Sequence, residues 1–413
     1  MTVSWVEIPD DSDFPLHNLP YGVFSPLGGP IQIGPGEDRR VGAAIGNYVL
    51  DLAAVAGADV GLPHGHEFAQ RSLNRFLSIG RHAWREVRQR LTELLSEPSY
   101  EPAVRPHLIP MDQVRLHLPI DVGDYVDFYS SRDHAENVGK LFRPDSPALP
   151  PNWLHLPIGY HGRAGTVVVS GTPIVRPSGQ RRPPDRTEPV FGPSMRLDIE
   201  AEVGFVVGVP SRLGEPVPAD DFDRHVFGVV LLNDWSARDI QAWEYQPLGP
   251  FLGKSFATSI SPWVVPLDAL QAARVAPPPP SVPQLPYLDE SAPTGLDLVI
   301  EIEWNGTVVS RPPFRTMYWT PGQQLAHLTI NGASVRTGDL YASGTVSGPE
   351  PDQRGSFLEL SWNGTQPITL GDGSTRTFLE NGDTVTIRAK AAGDDGKRLG
   401  FGEVTGTIKP AVR

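Results

Sequence analysis

Cysteine is absent from the 413-residue sequence. Its absence excludes disulfides, zinc sites built from thiolates and cysteine nucleophiles, and with them the small secreted modules that disulfides hold together. Long apolar runs are also lacking, since none approaches the ~20 residues that a membrane-spanning helix needs. The first residues, MTVSWVEIPDDSDF, have neither the basic nor the apolar segment of a signal peptide. We therefore expect no membrane contact and a cytoplasmic location.

Basic residues are outnumbered by acidic ones: 35 Lys and Arg stand against 48 Asp and Glu, a formal net charge of −13. Nucleic-acid binding depends on Lys and Arg that neutralise phosphates, so a chain of this charge without a basic run is a poor candidate for it. The surplus of carboxylates instead favours a protein that holds a divalent cation.

Proline and glycine are abundant. The 44 prolines and 42 glycines make up about a fifth of the chain, against about 12% in average proteins. This composition predicts short elements joined by many turns, and it argues against helical bundles, coiled coils and helical solenoids. Strand-length runs such as HVFGVVLLNDW and LDLVIEIEWNG, several of them alternating with period two, predict a mostly β (α+β) fold.

The sequence pattern divides the chain at about residue 118, and we interpret 1–118 and 119–413 as two domains. The first begins with short strands in YGVFSP, IQIG and RVGAAIGNYVLDL. Helical periodicity follows through 66–97 and ends before Pro98. The second domain consists of strand-length runs, and its proline-rich segment 276–286 is interpreted as a surface loop or semi-rigid connector.

A row of carboxylates stands out in LDIEAEVGF, residues 197–205. Alternate side chains of a strand share a face, so Asp198, Glu200 and Glu202 would point to the same side. Carboxylates in a row repel one another unless a cation or basic groups lie among them. The segment therefore suggests half of a Mg²⁺ or Ca²⁺ site. The alternative is a solvated face of an edge strand.

A second candidate segment, residues 231–255, follows an apolar run. Asp234 stands at the predicted strand end, where a carboxylate can be directed into a cleft, and Ser236 is the predicted cap of a short helix. On that helix Arg238 and Gln241 are three residues apart and share a face, so both could point at one oxyanion. Tyr245 and Lys254 follow in a loop rich in Gly and Pro. The alternative is a turn aspartate and an ordinary ion pair of Arg238.

Two further segments supply candidates for acid–base chemistry. In residues 123–143 a histidine, the usual general base, stands near groups that can hold a substrate carboxylate; the cluster consists of Asp127, Tyr129, Arg132, His134 and Arg143. In FLELSW a predicted strand places Glu359 opposite its apolar neighbours, where it could orient an imidazole. The alternatives are a histidine at an ordinary helix start and an exposed glutamate.

Several long, ungapped stretches resemble the fumarylacetoacetate hydrolase family. They are DFYSSRDHAENVGKLFR, LPPNWLHLPIGYHGRAGTVVVSGTPI, NDWSARDIQAWEYQPLGPFLGKSFATSISPWVVPLDAL, MYWT, GDLYASGTVSG and LELSWNGT. The resemblance runs from about residue 15 to about residue 410, so it includes an N-terminal region that shorter members of the family lack. It implies a small SH3-like β-barrel followed by a mixed β-sandwich roll with the catalytic site, and a homodimer.

The resemblance also implies roles for individual residues. The implied metal site, for Mg²⁺ and/or Ca²⁺, consists of Asp127, Glu200, Glu202 and Asp234, with Lys254 and Thr258 as further groups around the ion. His134 is the implied base, Glu359 its orienting partner, and the oxyanion is stabilised by Arg238, Gln241 and Lys254. The implied substrate contacts are Tyr129, Arg143, Tyr160, Gln241, Tyr245 and Thr345. Ala257 departs from the family pattern, in which glycine is expected.

The reaction implied by the resemblance is the hydrolysis of a carbon–carbon bond in 4-fumarylacetoacetate, a diketo dicarboxylate, to fumarate and acetoacetate. This is the last step of tyrosine and phenylalanine catabolism. Three alternatives stay open. The first is a hydrolase of another β-diketone or acylpyruvate with the same metal and histidine chemistry, and the second is a non-catalytic metal-binding protein. The third is an intact fold in which Ala257 alters the specificity.

Overall fold

The computed structural model describes residues 3–27, 38–393 and 396–412. The predicted strand IQIG lies outside the described residues. In the N-terminal region the strands are β1 Tyr21–Pro26, β2 Arg40–Ile45, β3 Tyr48–Asp51, β4 Leu108–Pro110 and β5 Val114–His117. The helices of this region are α1 Leu52–Gly57, α2 Asn74–Ser78, α3 Arg81–Ser96 and α4 Glu101–Val104.

The predicted helical stretch 66–97 is interrupted at Gly80. This glycine has a φ of 91°, which ends α2 and lets α3 begin in a new direction. The apolar stripe of α3 is buried, as its spacing predicted; it consists of Trp84, Val87, Leu91, Leu94 and Leu95. The helix ends at Ser96, two residues before Pro98, where a proline cannot continue it.

The remaining strands belong to the second region. They are β6 Tyr125–Phe128, β7 Gly159–His161, β8 Val167–Val169, β9 Ile174–Val175, β10 Ser178–Arg181, β11 Val190–Pro193, β12 Leu197–Asp198, β13 Ala201–Val207, β14 Val226–Asp234, β15 Ser236–Ala237, β16 Thr258–Ile260, β17 Trp263–Pro266, β18 Arg274–Val275, β19 Gly295–Leu296, β20 Leu298–Trp304, β21 Thr307–Ser310, β22 Leu340–Ala342, β23 Ile368–Thr369, β24 Thr375–Arg376, β25 Thr384–Ala392 and β26 Arg398–Lys409. The helices are α5 Arg132–Phe142, α6 Phe222–His225, α7 Arg238–Glu244, α8 Pro321–Thr329 and α9 Phe357–Leu360.

One large sheet connects the two regions. Its strand order is β4-β3-β2-β1-β17-β14-β13-β22-β6-β7, and β5 also pairs with β1. Tyr21 of β1 lies opposite Val264 of β17, so hydrogen bonds of the first region continue into the second. The mostly β class is confirmed. The pairings among the described residues of the N-terminal region form a sheet that does not close into a barrel.

A second sheet, in the order β21-β20-β25-β26-β9, completes the second region. Strand β20 alternates between buried and less buried residues, as a strand with one face on the core does. Its inward side chains share one hydrophobic core with β13 and β14 of the large sheet; members of this core include Phe205, Val229, Leu231, Ile300 and Ile302. Packing of two sheets on one core agrees with the sandwich expected for this region.

The functional side chains lie where three strands of the large sheet end together. Ala342 of β22 lies opposite Asp127 of β6 on one side and opposite Gly204 of β13 on the other. Next to β13, Asn233 of β14 lies opposite Ala201. These registers bring residues far apart in sequence to one edge of the sheet. No helix in the described part of the chain is long and apolar enough to cross a membrane.

Candidate active site

Four carboxylates from three strand ends form a buried cluster. Asp127, Glu200, Glu202 and Asp234 each offer an oxygen, and these oxygens lie within 4.8 Å of one another. All four side chains are buried, so the solvated edge-strand interpretation of this segment is wrong. The strand predicted through 197–205 is also interrupted, because β12 ends at Asp198 and β13 begins at Ala201. The short distances among these oxygens therefore support the interpretation of the four residues as metal ligands.

The electrostatics of the cluster show an excess of negative charge. Burial, together with the neighbouring carboxylates, raises the pKa of Asp127 and of Glu202 well above the ordinary value. Burial also raises the pKa of Asp234, although Lys254 opposes the rise. Burial would raise the pKa of Glu200 too, but Lys254 and Arg238 outweigh it and lower that pKa.

The cluster suits a divalent cation. One oxygen of Asp127 and both oxygens of Glu202 are buried and accept no hydrogen bond from any described residue. Buried polar atoms are nearly always satisfied, and an unsatisfied carboxylate oxygen is strongly unfavourable. Carboxylate oxygens are the ligands that hard cations such as Mg²⁺ and Ca²⁺ prefer. The donor set therefore fits a hard divalent ion.

Lys254 and Thr258 lie beside the acidic cluster, as expected from the family resemblance. Lys254 Nζ donates to Glu200 Oε2 at 2.5 Å and to Asp234 Oδ2 at 3.0 Å. Thr258 Oγ1 donates to the other oxygen of Asp234 at 2.8 Å. Burial by itself would lower the pKa of Lys254, but Asp234 and Glu200 outweigh it, so the pKa is raised and the ammonium is retained.

Arg238 is buried and lies at the start of α7. Its Nε donates to Asp198 Oδ2 at 2.8 Å, and its Nη1 donates to Glu200 Oε1 at 2.7 Å and to Gln241 Oε1 at 3.3 Å. Its Nη2 is buried and finds no acceptor within the described ranges. Arg238 does form ion pairs with acids, as the alternative held, but the pairs are buried and involve Asp198 and Glu200 of the carboxylate row. The predicted cap Ser236 is wrong, because Ser236 lies in β15 and Ala237 precedes the helix.

His134 and Glu359 form a buried pair. His134 lies in the first turn of α5, where Ser131 Oγ caps the helix by accepting the His134 N–H at 3.2 Å. His134 Nδ1 lies 2.7 Å from Glu359 Oε2. Burial would raise the pKa of Glu359, but His134 and other hydrogen-bond donors outweigh it and lower that pKa. Because an ionised carboxylate only accepts, Nδ1 carries the proton and Nε2 is left free to accept one.

The predicted strand around Glu359 is wrong. Residues Phe357–Leu360 form the short helix α9, and Ser356 caps it by accepting the Glu359 N–H. Glu359 is also fully buried, so the exposed alternative is wrong too. One polar residue among three apolar ones fits one turn of helix as well as a strand, and the helical turn is stabilised by the cap at Ser356 together with Asp198, which accepts the first two N–H groups.

Sequence reasoning missed three residues that hold Glu359. Asn137 Nδ2 donates to Oε1 at 3.0 Å, while Ser347 Oγ and Ser356 Oγ donate to Oε2 at 3.0 and 2.8 Å. Two of these had a local signal. Asn137 is three residues after His134 on the same helix, and Ser356 is three residues before Glu359, the spacing of a capping box. No local sequence pattern pointed to Ser347, because the loop that contains it meets α9 only in the tertiary structure.

The expected substrate residues are brought together in part. Tyr129 packs edge-on against His134 with ring centroids 5.3 Å apart, and Tyr160 Oη donates to Asp234 Oδ2 at 3.3 Å. Thr345 is buried, and its Oγ1 finds no partner among the described side chains and backbone. A cavity of about 160 Å³ reaches Asp234, Lys254 and Thr258; Tyr160, His161, Arg163 and Phe251 also line it.

Other expected contacts lie at the margin of the site. Arg143 is exposed at the end of α5 and donates to the Ala148 carbonyl at 3.0 Å. Tyr245 is 42% exposed, directly after α7. Gln241 is half-buried and reaches the site through its bond with Arg238. Ala257 is buried in the hydrophobic core of the second region.

Comparison with known proteins identifies the family of this chain. The family described as "Fumarylacetoacetate (FAA) hydrolase C-terminal" matches residues 125–409, and "Fumarylacetoacetase N-terminal" matches residues 17–119. Fumarylacetoacetase of Homo sapiens is 49% identical over 424 residues, covering 99% of both chains. Fumarylacetoacetase of Arabidopsis thaliana is 46% identical over 425 residues, covering 99% of this chain and 98% of its own.

Among solved structures, the fold is similar to that of a fumarylacetoacetate hydrolase from psychrophilic Exiguobacterium antarcticum. The TM-score is 0.55 at 17% sequence identity, and the match covers 95% of this chain and 99% of the other. At this identity the comparison supports the fold alone.

Proposed function

Because the chain belongs to the fumarylacetoacetate hydrolase family, we propose that it hydrolyses the carbon–carbon bond of 4-fumarylacetoacetate, a diketo dicarboxylate, giving fumarate and acetoacetate. One observation carries the proposal: a buried His134–Glu359 pair and a buried carboxylate cluster are connected, because Arg238 bonds to Glu200 of the cluster and to Asp198, which holds the helix of Glu359. The reaction needs a base for water and positive charge for two developing anions. This arrangement supplies both.

The first step is the activation of water. His134 Nε2 accepts a proton from water, and the resulting hydroxide attacks the carbonyl carbon on the fumaryl side. Glu359 holds the ring through Nδ1 and stabilises the imidazolium that forms. The unused Nη2 donor of Arg238, together with Lys254 and Gln241, stabilises the oxyanion of the tetrahedral adduct. Removal of one such donor commonly lowers kcat by about 10²–10³-fold.

The second step breaks the carbon–carbon bond, and its electron pair passes to acetoacetate as an enolate. A divalent ion held by Asp127, Glu200, Glu202 and Asp234 would supply Lewis-acid stabilisation of oxygen charge. The imidazolium of His134 returns its proton to the enolate carbon, which restores the free base. Water has then been added across the bond, so atoms and charges balance.

We propose Mg²⁺ and/or Ca²⁺ as the bound ion. The support is the all-oxygen donor set, which lacks the nitrogen and sulfur ligands that softer ions prefer. Calorimetric titration of chelator-treated protein with each ion, and with Zn²⁺ for comparison, tests the choice. Binding of Zn²⁺ with no detectable binding of Mg²⁺ or Ca²⁺ would contradict it, whereas a higher affinity for Zn²⁺ alone would not, because raw affinity does not decide which ion a site uses.

The test of the function is loss of the ultraviolet absorbance of fumarylacetoacetate on addition of protein. It is run with chelator, with Mg²⁺ or Ca²⁺ restored, and with a panel of other β-diketones and acylpyruvates. Metal-dependent loss with a preference for fumarylacetoacetate is expected. A preference for another diketone would support the alternative hydrolase, and metal binding without any turnover would support a non-catalytic protein.

We also propose a homodimer, supported by five large apolar side chains that are exposed on segments near α7: Phe191, Met195, Leu248, Phe251 and Leu252. Two of the segments that carry these side chains are hydrogen-bonded to α7, because the Met195 N–H donates to Asp239 and the Phe251 N–H donates to Glu244. Exposed apolar patches are typical of interfaces. Light scattering should show a dimer that Leu248→Asp weakens, while Leu213→Asp, equally exposed elsewhere, does not.

We further propose a place at the end of tyrosine and phenylalanine catabolism, on the ground of the proposed reaction. We also propose a cytoplasmic location and two domains at 1–118 and 119–413, the division that the sequence pattern predicts. Because β1 pairs with β17, we expect residues 119–413 expressed alone to be less stable than the whole chain. A fragment as stable as the whole chain in a thermal melt would contradict that expectation.

A further inference from the structure

Asp198 is the carboxylate of the 197–205 row that the metal cluster does not include. It is fully buried, at the end of β12. Four donors converge on its two oxygens. Oδ1 accepts from the N–H groups of Ile199 at 2.8 Å and Phe357 at 2.7 Å. Oδ2 accepts from Arg238 Nε at 2.8 Å and from the Leu358 N–H at 3.0 Å. Such saturation is typical of a carboxylate with one fixed orientation.

Two of these donors belong to the helix that carries the partner of the base. Phe357 and Leu358 are the first two residues of α9, and their N–H groups have no acceptor within the helix. Asp198 accepts both, so it fixes the start of α9 from outside. Glu359 is the next residue, and its carboxylate determines the orientation of His134. A shift of this helix would therefore move Glu359.

A third donor is the arginine that stabilises the oxyanion. The guanidinium of Arg238 is rigid, so acceptors on Nε and Nη1 determine the direction of Nη2. Asp198 holds Nε and Glu200 holds Nη1. Of the guanidinium nitrogens of Arg238, Nη2 is the one that has no acceptor among the described residues, so it is available to a ligand. Asp198 thus helps to direct that donor.

We infer that Asp198 is a positioning residue that couples the two halves of the catalytic machinery, because one carboxylate fixes both the Arg238 guanidinium and the α9 turn with Glu359. The inference rests on the proposed function for its catalytic consequence. Asp198 contacts neither the substrate nor the reacting atoms; it acts through Arg238 and Glu359.

Asp198→Asn tests the inference, because the amide keeps the shape of the side chain but has one acceptor oxygen and one donor NH₂ group. In either orientation of the amide an α9 N–H then faces a donor: Phe357 on one side, or Leu358 together with Arg238 on the other. We expect kcat to fall about 100-fold, as for loss of an oxyanion donor. The substrate KM should change less than about threefold, because the groups that bind the substrate stay in place.

A readout independent of turnover is the downfield ¹H NMR resonance of His134 Nδ1–H, identified by its absence in His134→Ala. In Asp198→Asn we expect this resonance to shift or broaden, although no direct partner of His134 has changed. A merely structural role would lower the melting temperature without moving the resonance. If the parent protein does not turn over fumarylacetoacetate, the proposed function fails, and the resonance still decides the role of Asp198.

Asp51→Asn is a matched control. Asp51 is also buried, also caps a helix by accepting the Ala54 N–H, and also pairs with an arginine, Arg40 at 3.0 Å, but it lies in the N-terminal region. It should lower the melting temperature and leave kcat and the resonance unchanged. If Asp198→Asn does not fold, Asp198→Glu keeps the charge but displaces it by one methylene. Parental kcat and an unshifted resonance in a folded Asp198 variant would overturn the inference.

Discussion

His134 Nδ1 lies 2.7 Å from Glu359 Oε2, although 225 residues separate the two along the chain. The glutamate accepts from three further side chains, so its orientation is fixed before any substrate binds; these are Asn137, Ser347 and Ser356. If His134 is the base, as proposed, its fixed orientation means that it requires no reorganisation during the reaction. The pair is therefore the first target for mutation.

Replacement of His134 by Ala should lower kcat by about 10²–10⁴-fold, the usual cost of losing a general base. Metal affinity should stay within about threefold of the parent value, since His134 is outside the carboxylate cluster. Steady-state kinetics and calorimetry check the two expectations. His64→Ala, which removes a surface histidine paired with Glu86, is the control. Near-parental turnover in His134→Ala would remove it as the base.

Replacement of Glu359 by Gln should lower kcat by about 10²–10⁴-fold, because the amide cannot stabilise the imidazolium. The change also has a pH signature. The pKa of Glu359 is lowered in the folded state, so its stabilisation is present above the unfolded pKa of about 4 and is lost as pH falls through the folded pKa. Thermal melts at decreasing acidic pH should therefore show a shallower loss of stability in Glu359→Gln than in the parent. Equal slopes would contradict the ionised pair.

Removal of the metal should destabilise the protein, because it leaves four buried carboxylates facing one another. An ion at about 100 times its Kd adds about 2.7 kcal/mol to the free energy of unfolding. Chelator treatment should lower the melting temperature, and Mg²⁺ or Ca²⁺ should restore it. Without metal, Glu202→Gln should melt higher than the parent, since it removes one of the repelling charges, while its metal affinity falls. Unchanged affinity in this variant would mean that Glu202 is not a ligand.

The acidic cluster also predicts the direction of the pH effect. The pKa values of Asp127 and Glu202 are raised in the folded state, so their stabilisation is present below the unfolded pKa of about 4 and is lost as pH rises through the folded pKa. The melting temperature of chelator-treated parent protein should therefore fall more steeply above about pH 5 than that of Glu202→Gln. Saturating metal should remove the difference between their slopes. Parallel slopes without metal would contradict the raised pKa values.

Phe357 connects the stability of the fold to the site, because it stacks on Trp304 at 3.9 Å and begins the helix of Glu359. Phe357→Ala should reduce the free energy of unfolding by about 3–5 kcal/mol and also lower kcat of the folded fraction. Phe76→Ala, in the N-terminal core, should have a similar effect on stability with kcat unchanged. Denaturant unfolding and kinetics on the same samples check both. Equal kcat in the two variants would show that packing of Phe357 does not support Glu359.

Local sequence patterns were sufficient where a pattern depends on near neighbours. The apolar run of β14 predicted a buried strand ending at Asp234, and all nine of its residues are buried. The stripe through Trp84 and Leu91 predicted the face of α3, because helical spacing directs those side chains to one side. The long motifs that resemble the fumarylacetoacetate hydrolase family indicated its chemistry before any geometry was known.

The same local patterns failed where a distant segment decided the conformation. Alternation in FLELSW predicted a strand, but Asp198 accepts the first two N–H groups of that segment and stabilises a helical turn. Alternation also placed Asp198, Glu200 and Glu202 in one row without distinguishing their roles. The interruption after β12 and the approach of Arg238 assign Asp198 to positioning and the other two to the cluster.

By itself, then, the sequence determined the class of the fold, the buried strands and the residue types available for chemistry, because these depend on composition and on neighbours within a few positions. The family resemblance implied that four acids meet and that Glu359 orients His134, but no local pattern did, and the tertiary structure decides both, together with the exposure of Arg143 and Tyr245. Those relationships depend on the register of strands such as β6, β13 and β14, and register is determined by packing of the whole core rather than by any one segment.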